Sequence, residues 1–144
     1  MKNALKDDEG STLLLTIFYG FLALVLVMLV VAASSLYLER KRLFTLADGA
    51  ALVGAEAFDL TDVTVTPSGP RPVLETGDVA AAVRAYVAST PSHFRSLTIA
   101  RAETVDGRSA TVTLSAFWRP PMVSLVVPEG VPIEVTAVAR SVFD

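Results

Sequence analysis

Residues 7–42 read DDEGSTLLLTIFYGFLALVLVMLVVAASSLYLERKR, so that three carboxylates, Asp7, Asp8 and Glu9, and a glycine, Gly10, stand directly against the longest apolar run in the chain. From Leu13 to Leu38 no side chain is charged, and the only polar interruptions are Thr16, Tyr19, Gly20, Ser34, Ser35 and Tyr37. At about 1.5 Å of rise per residue the run reaches about 39 Å as a helix, against about 30 Å of hydrocarbon in a bilayer. A helix that is apolar on every face needs apolar partners all round, and the rest of a 144-residue chain is too short to wrap it. Lipid is therefore the expected solvent for residues 13–38. A secretory signal peptide is the competing reading, because Val31, Ala33 and Ser34 offer small residues to a peptidase. The run is longer than a signal's apolar region, however, and its upstream flank is acidic where a signal is basic.

The composition agrees. Hydrophobic residues make up 52% of the chain, an excess over ordinary soluble domains. With no cysteine, the chain has no disulfide framework and no thiol chemistry. Charges after Glu39 are scattered without a basic block, which argues against a nucleic-acid partner. Lys2 and Lys6 precede the apolar run and Arg40, Lys41 and Arg42 follow it, so with the terminal amine the cations tie and do not orient the helix.

The helical pattern continues past the apolar run. No proline occurs between Glu39 and Phe58, and Leu43, Ala47, Ala50, Gly54 and Ala57 recur at spacings of three and four, one face of a helix. One continuous helix is expected from about Thr12 to about Asp59, with residues 39–60 extending the apolar segment. Its small residues admit close approach of a partner backbone. The candidate packing contacts are Ala47, Ala50, Ala51, Gly54 and Ala57, with Asp48 among them. Two uses stay open for this stripe: packing on the protein's own sheet, or packing against another subunit. Asp48 finds no countercharge in its own helix, so it faces solvent or bonds to the sheet or a neighbouring subunit.

Beyond Leu60 the period changes. DVTVTPSGPRPV predicts a short edge strand around Val63 and Val65 followed by a loop. A second helix follows, capped by Thr76 or Asp78, with Val79, Ala82, Val83, Tyr86 and Val87 on its apolar face and Pro91 beyond its end. LTIARAETV and SATVTLSAFW flank Asp106-Gly107 as a hairpin. A third strand, VPIEVTAVARSVF, turns Ile133, Val135, Ala137 and Ala139 toward the helices and Glu134, Thr136 and Arg140 away from them. RPPMVSLVVPEG reads as a proline-bracketed loop carrying Met122, Leu125 and Val126 in a helical turn or edge segment.

Chemistry is sparse. His93, beside Ser92, is the single histidine and reads as a solvated or structural loop residue. No histidine pair can begin a metal site, and the acids at 7–9 and at Asp59 and Asp62 read as solvated flanks. No glycine-rich loop matches a phosphate cradle. No catalytic residue, cofactor, metal or small-molecule substrate is expected.

The acid-and-glycine junction, the long apolar helix, the polar step YLERKR and then ADGAALVGAEA resemble the N-terminal part of the TadE/TadG-like proteins of Tad (Flp) pilus assembly. The later hairpin, PMVSLVVPEG and VPIEVTAVAR are similar to that family too. The resemblance implies an α+β protein: a long N-terminal transmembrane helix runs into a small pilin-like domain with an antiparallel sheet and a second helix. It further implies residues 1–12 in the cytoplasm, 13–38 in the cytoplasmic membrane, and 61–144 as a domain outside it. Its partners would be the lipid bilayer and other pilus or secretion-system subunits, and its role that of a minor pilin or assembly factor. A generic single-pass envelope scaffold is the alternative. The resemblance also marks Gly10 and Ser11 as a candidate prepilin-type processing site. Cleavage there makes Leu15 the fifth residue, where pilins of this type carry glutamate, so the expected form is an accessory component whose helix stays as an anchor.

Overall fold

The computed structural model of the chain describes residues 4–58, 63–67, 69–71, 73–120 and 128–140. Helix α1, Ala4–Ala55, is unbroken over 52 residues, about 78 Å at about 1.5 Å per residue. It starts two turns before the expected Thr12. Asp7, Asp8 and Glu9 fall in its first two turns, where negative charge suits the positive end of the helix dipole. It stops four residues short of Asp59: the amides of Glu56 and Ala57 donate to the carbonyls of Val53 and Gly54 at 3.3 Å, closing the last turn tightly.

A two-stranded ribbon follows, β1 (Thr64–Thr66) against β2 (Gly69–Arg71), with Val65 opposite Pro70. The sequence suggests only the first of these strands. A ribbon with open outer edges tolerates the amide that Pro70 lacks. Helix α2 spans Thr76–Ser89, and three strands complete the fold: β3 (Arg95–Thr104), β4 (Ser109–Trp118) and β5 (Val131–Arg140). They form an antiparallel sheet in the order β3-β4-β5. The β4–β5 register is regular from Ser109 opposite Arg140 to Trp118 opposite Val131. The β3–β4 register slips near the start of β3, where Ser96 has a positive φ of 51°. The expected loop segment with Met122, Leu125 and Val126 lies outside the described residues.

Both helices cover one face of the sheet. Along β5, Ile133, Val135, Ala137 and Ala139 are buried while the alternate residues are exposed, the period of a half-buried strand. From β4 come Ala110, Val112, Leu114, Ala116 and Trp118. Leu43, Leu46, Ala47, Ala50, Ala51 and Ala55 of α1 and Val79 and Val83 of α2 close over them. Alanines on facing surfaces let the helix lie close to the sheet. On the outer face, Thr113 and Thr136 share a hydroxyl bond of 2.9 Å and Thr98 and Ser115 one of 2.7 Å.

The cap of α2 differs from expectation. Its N-cap is Glu75, which makes no side-chain cap bond. The Thr76 hydroxyl reaches across to the end of β3, donating to the Thr104 carbonyl at 3.3 Å and accepting from the Thr104 amide at 3.5 Å. A tertiary tie has taken the hydroxyl that a local cap would use. At the other end the Thr90 hydroxyl and amide both donate to the Tyr86 carbonyl, at 2.8 and 3.0 Å, and Pro91 follows.

Candidate interaction site along the first helix

Helix α1 has three environments in succession. From Ser11 to Val31 every residue is exposed, with Leu14 at 71% and Leu29 at 64%. The α+β fold therefore does not shield this stretch, and it is long and apolar enough to cross a membrane. Ala32 and Leu36 are half-buried against the core. Between them the indole Nε1–H of Trp118 donates to Ser35 Oγ at 3.2 Å, so the end of the sheet is pinned to α1 one turn beyond Val31. From Leu43 onward one face of the helix is fully sequestered.

The predicted packing residues divide accordingly. Ala47, Ala50 and Ala51 have no exposed surface, and Gly54 is buried. A Cβ on Gly54 would lie 3.2 Å from each of Ala110 Cβ, Val79 Cγ1 and Val83 Cγ2. That is the point where α1, α2 and β4 meet. Gly49 lies under the Tyr86 ring, whose Cζ would stand 3.0 Å from an added Cβ. These positions face the protein's own sheet and second helix. Ala57 is half-buried just past the helix end. Asp48 is exposed and makes no ion pair or hydrogen bond among the described residues; it shares the outward face with Phe44 and Leu52, 47% and 52% exposed.

Gly10 and Ser11 lie inside α1, with helical backbone running through both. His93 is exposed and lines a groove between α1 and α2 with Glu39, Arg42 and Tyr86. Among the described residues no acid bonds to His93, and no group of three or more His, Cys, Asp or Glu side chains is placed to hold a metal ion. Asp59 and Asp62, and the side chains of Asp7, Asp8 and Glu9, lie outside the description.

Two contacts were not anticipated from the sequence, the Trp118–Ser35 bond and the Tyr86–Gly49 approach. Ser34-Ser35 does stand out as a polar pair at the end of an apolar run, but its partner lies 83 positions away along the chain. No local pattern encodes that pairing.

The exposed apolar stretch and the packed small-residue stretch together make up the segment in which the family likeness resides. Residues 10–57 match the family described as "Putative Flp pilus-assembly TadE/G-like". Over that third of the chain the protein is similar to the TadE/G-like family. The TadE/G-like match covers the apolar run, the YLERKR step and the small-residue stripe, and it ends before the ribbon and sheet. No curated protein and no solved structure matches the chain. The match relates the protein to Flp pilus assembly, a structural family, and its other subunits are the kind of partner the family suggests.

Proposed function

We propose that the protein is a membrane-anchored structural component of a Flp-type pilus or related secretion apparatus, acting as a minor pilin or assembly factor without catalysis. The observation that supports this most is the division of α1 within the TadE/G-like segment: an unshielded apolar stretch leads without a break into a stretch whose small residues hold a folded domain. Leu13 to Ala33 rises about 31 Å, close to the hydrocarbon thickness of about 30 Å. The contacts at Ala32, Ser35 and Leu36 fit a lipid segment that ends near Ala33, shorter than the apolar run to Leu38. The N-terminus lies in the cytoplasm and residues 61–144 outside, an orientation taken from the family likeness. Ala47, Ala50, Ala51 and Gly54 seat the domain on its own helix. Subunit contact then falls to the outward face with Phe44, Asp48 and Leu52. Gly10 is retained, with the helix serving as the anchor.

Deleting the gene and restoring it tests the assignment. Loss of assembled pili on deletion, with recovery by the full chain, is expected; unchanged pilus assembly overturns it. A crosslinker placed at Asp48 should capture a pilus subunit and one placed at exposed Val138 should not. N-terminal sequencing of the membrane-extracted protein that begins at Ser11 would overturn retention, and a domain protected from protease in spheroplasts would overturn the orientation.

A further inference from the structure

We infer that the end of the domain carrying Trp118 is a foot that rests on the bilayer surface and binds anionic lipid headgroups through Arg95 and Arg119. The inference rests on the membrane anchoring proposed above and adds to it a second, polar contact with the same bilayer.

Geometry sets the level of the foot. Trp118 is pinned to Ser35, two residues beyond Ala33, so the sheet end lies about 3 Å of helix rise beyond the lipid segment. The polar zone of a leaflet is about 5–7 Å deep. The start of β3, the end of β4 and the start of β5 all meet at this end, because Arg95 pairs with Phe117 and Trp118 with Val131. Arg95, Ser96, Phe117, Arg119 and Glu129 line one open pocket there. Phe117 and Val131 are each 41% exposed. Aromatic and aliphatic groups beside arginines are the composition of a membrane interface.

The charge distribution points the same way. Arg95 and Arg119 are exposed and make no ion pair among the described residues. Arg40, Lys41 and Arg42 stand one to two turns further along α1 from Ser35. Among the described residues the acids at this end are Glu39, Glu129 and Glu134, and Glu39 already pairs with Arg42 at 3.8 Å. Five cations against three acids leave this end net positive, on a chain whose net charge is -3. Basic groups near an anionic leaflet are attracted within a Debye length, about 8 Å at physiological salt. Nucleic acid is a poor match for so small a patch on an acidic chain.

Trp118 is the single tryptophan and reports on the foot directly. The full-length protein is placed in nanodiscs of phosphatidylcholine, alone or mixed with phosphatidylglycerol, each containing a lipid spin-labelled near the headgroup. Quenching of Trp118 is expected to rise about twofold with phosphatidylglycerol at low salt, and the rise to vanish at about 1 M salt, where the Debye length is about 3 Å. R95E combined with R119E should abolish the rise, whereas R95K combined with R119K should retain it. Equal quenching in both lipids, or a rise that survives the double charge reversal, overturns the inference. Amide exchange separates this failure from that of the anchoring itself. Slow exchange across residues 13–31 with lipid-independent quenching sinks the foot alone, and rapid exchange there sinks the membrane reading and the foot with it.

Discussion

Asp106 shows how one side chain can fix a connection. In the loop between β3 and β4 its Oδ1 accepts the amides of Arg108 and Ser109 at 2.9 and 2.7 Å, and its Oδ2 accepts the Ser109 hydroxyl at 2.9 Å. Gly107 takes the positive φ of 66° that the turn requires, and its carbonyl accepts the Leu74 amide at 2.9 Å. The Arg108 amide first, then the Ser109 amide and hydroxyl, lower the Asp106 pKa from 3.8 to about 2. A depressed carboxylate pKa stabilises the fold above the unfolded value, and the contribution is lost as pH falls from about 4 toward 2. Asp106→Ala should lower the melting temperature at pH 7 and flatten its dependence on pH below 4, as thermal unfolding in detergent at several pH values will show. Gly54 makes a different demand, for space. Its three neighbours, on α2 and β4, stand at 3.2 Å from an added Cβ, so Gly54→Leu should destabilise the domain by about 1–3 kcal/mol through overpacking. Denaturant unfolding checks this, and a variant as stable as the parent would show that the junction can spread.

At the scale of elements, the contact between α1 and the sheet end combines the packing of Ala32 and Leu36 with the Trp118–Ser35 hydrogen bond. Ser35→Ala and Trp118→Phe should each cost about 1 kcal/mol by losing that bond, and the double variant should cost less than their sum. A double-mutant cycle in detergent measures this coupling; additive losses would mean that the bond contributes nothing. Much of the element plan is legible locally. The apolar run and the proline-free stretch after it encode α1, and alternation at Ile133, Val135, Ala137 and Ala139 encodes β5 and its buried face. Asp106-Gly107 marks the hairpin. Thr76 misleads because its hydroxyl can serve either its own helix or β3, and only the assembled fold decides between them. The candidate site is legible to the same extent. Periodicity places Ala47, Ala50 and Gly54 on one face, but it is silent on what covers that face, and at Gly54 the covering proves to be Ala110, Val79 and Val83. Asp48, grouped with them by proximity in sequence, stands on the opposite side.

For the whole molecule, the decisive quantity is the cost of leaving Leu13–Val31 in water, since none of the described residues covers them. Placing a charge at the centre of the stretch tests the solvent they occupy. Val25→Arg should disfavour membrane insertion by about 2.5–3.5 kcal/mol, seen as a shift of the protein from the carbonate-resistant membrane fraction to the extractable one. Unchanged partitioning would mean that these residues do not lie in lipid.

Because α1 passes from Ser11 to Ala55 without a proline or a break, the anchor and the domain's spine are one rigid lever. From Ala33 to Ala55 its arm measures about 33 Å. Transmembrane helices commonly tilt by about 20°, and such a lean carries the tip of this arm sideways by about 11 Å. A small rotation within the bilayer is thereby delivered to the distal end of the molecule as a displacement as wide as a helix.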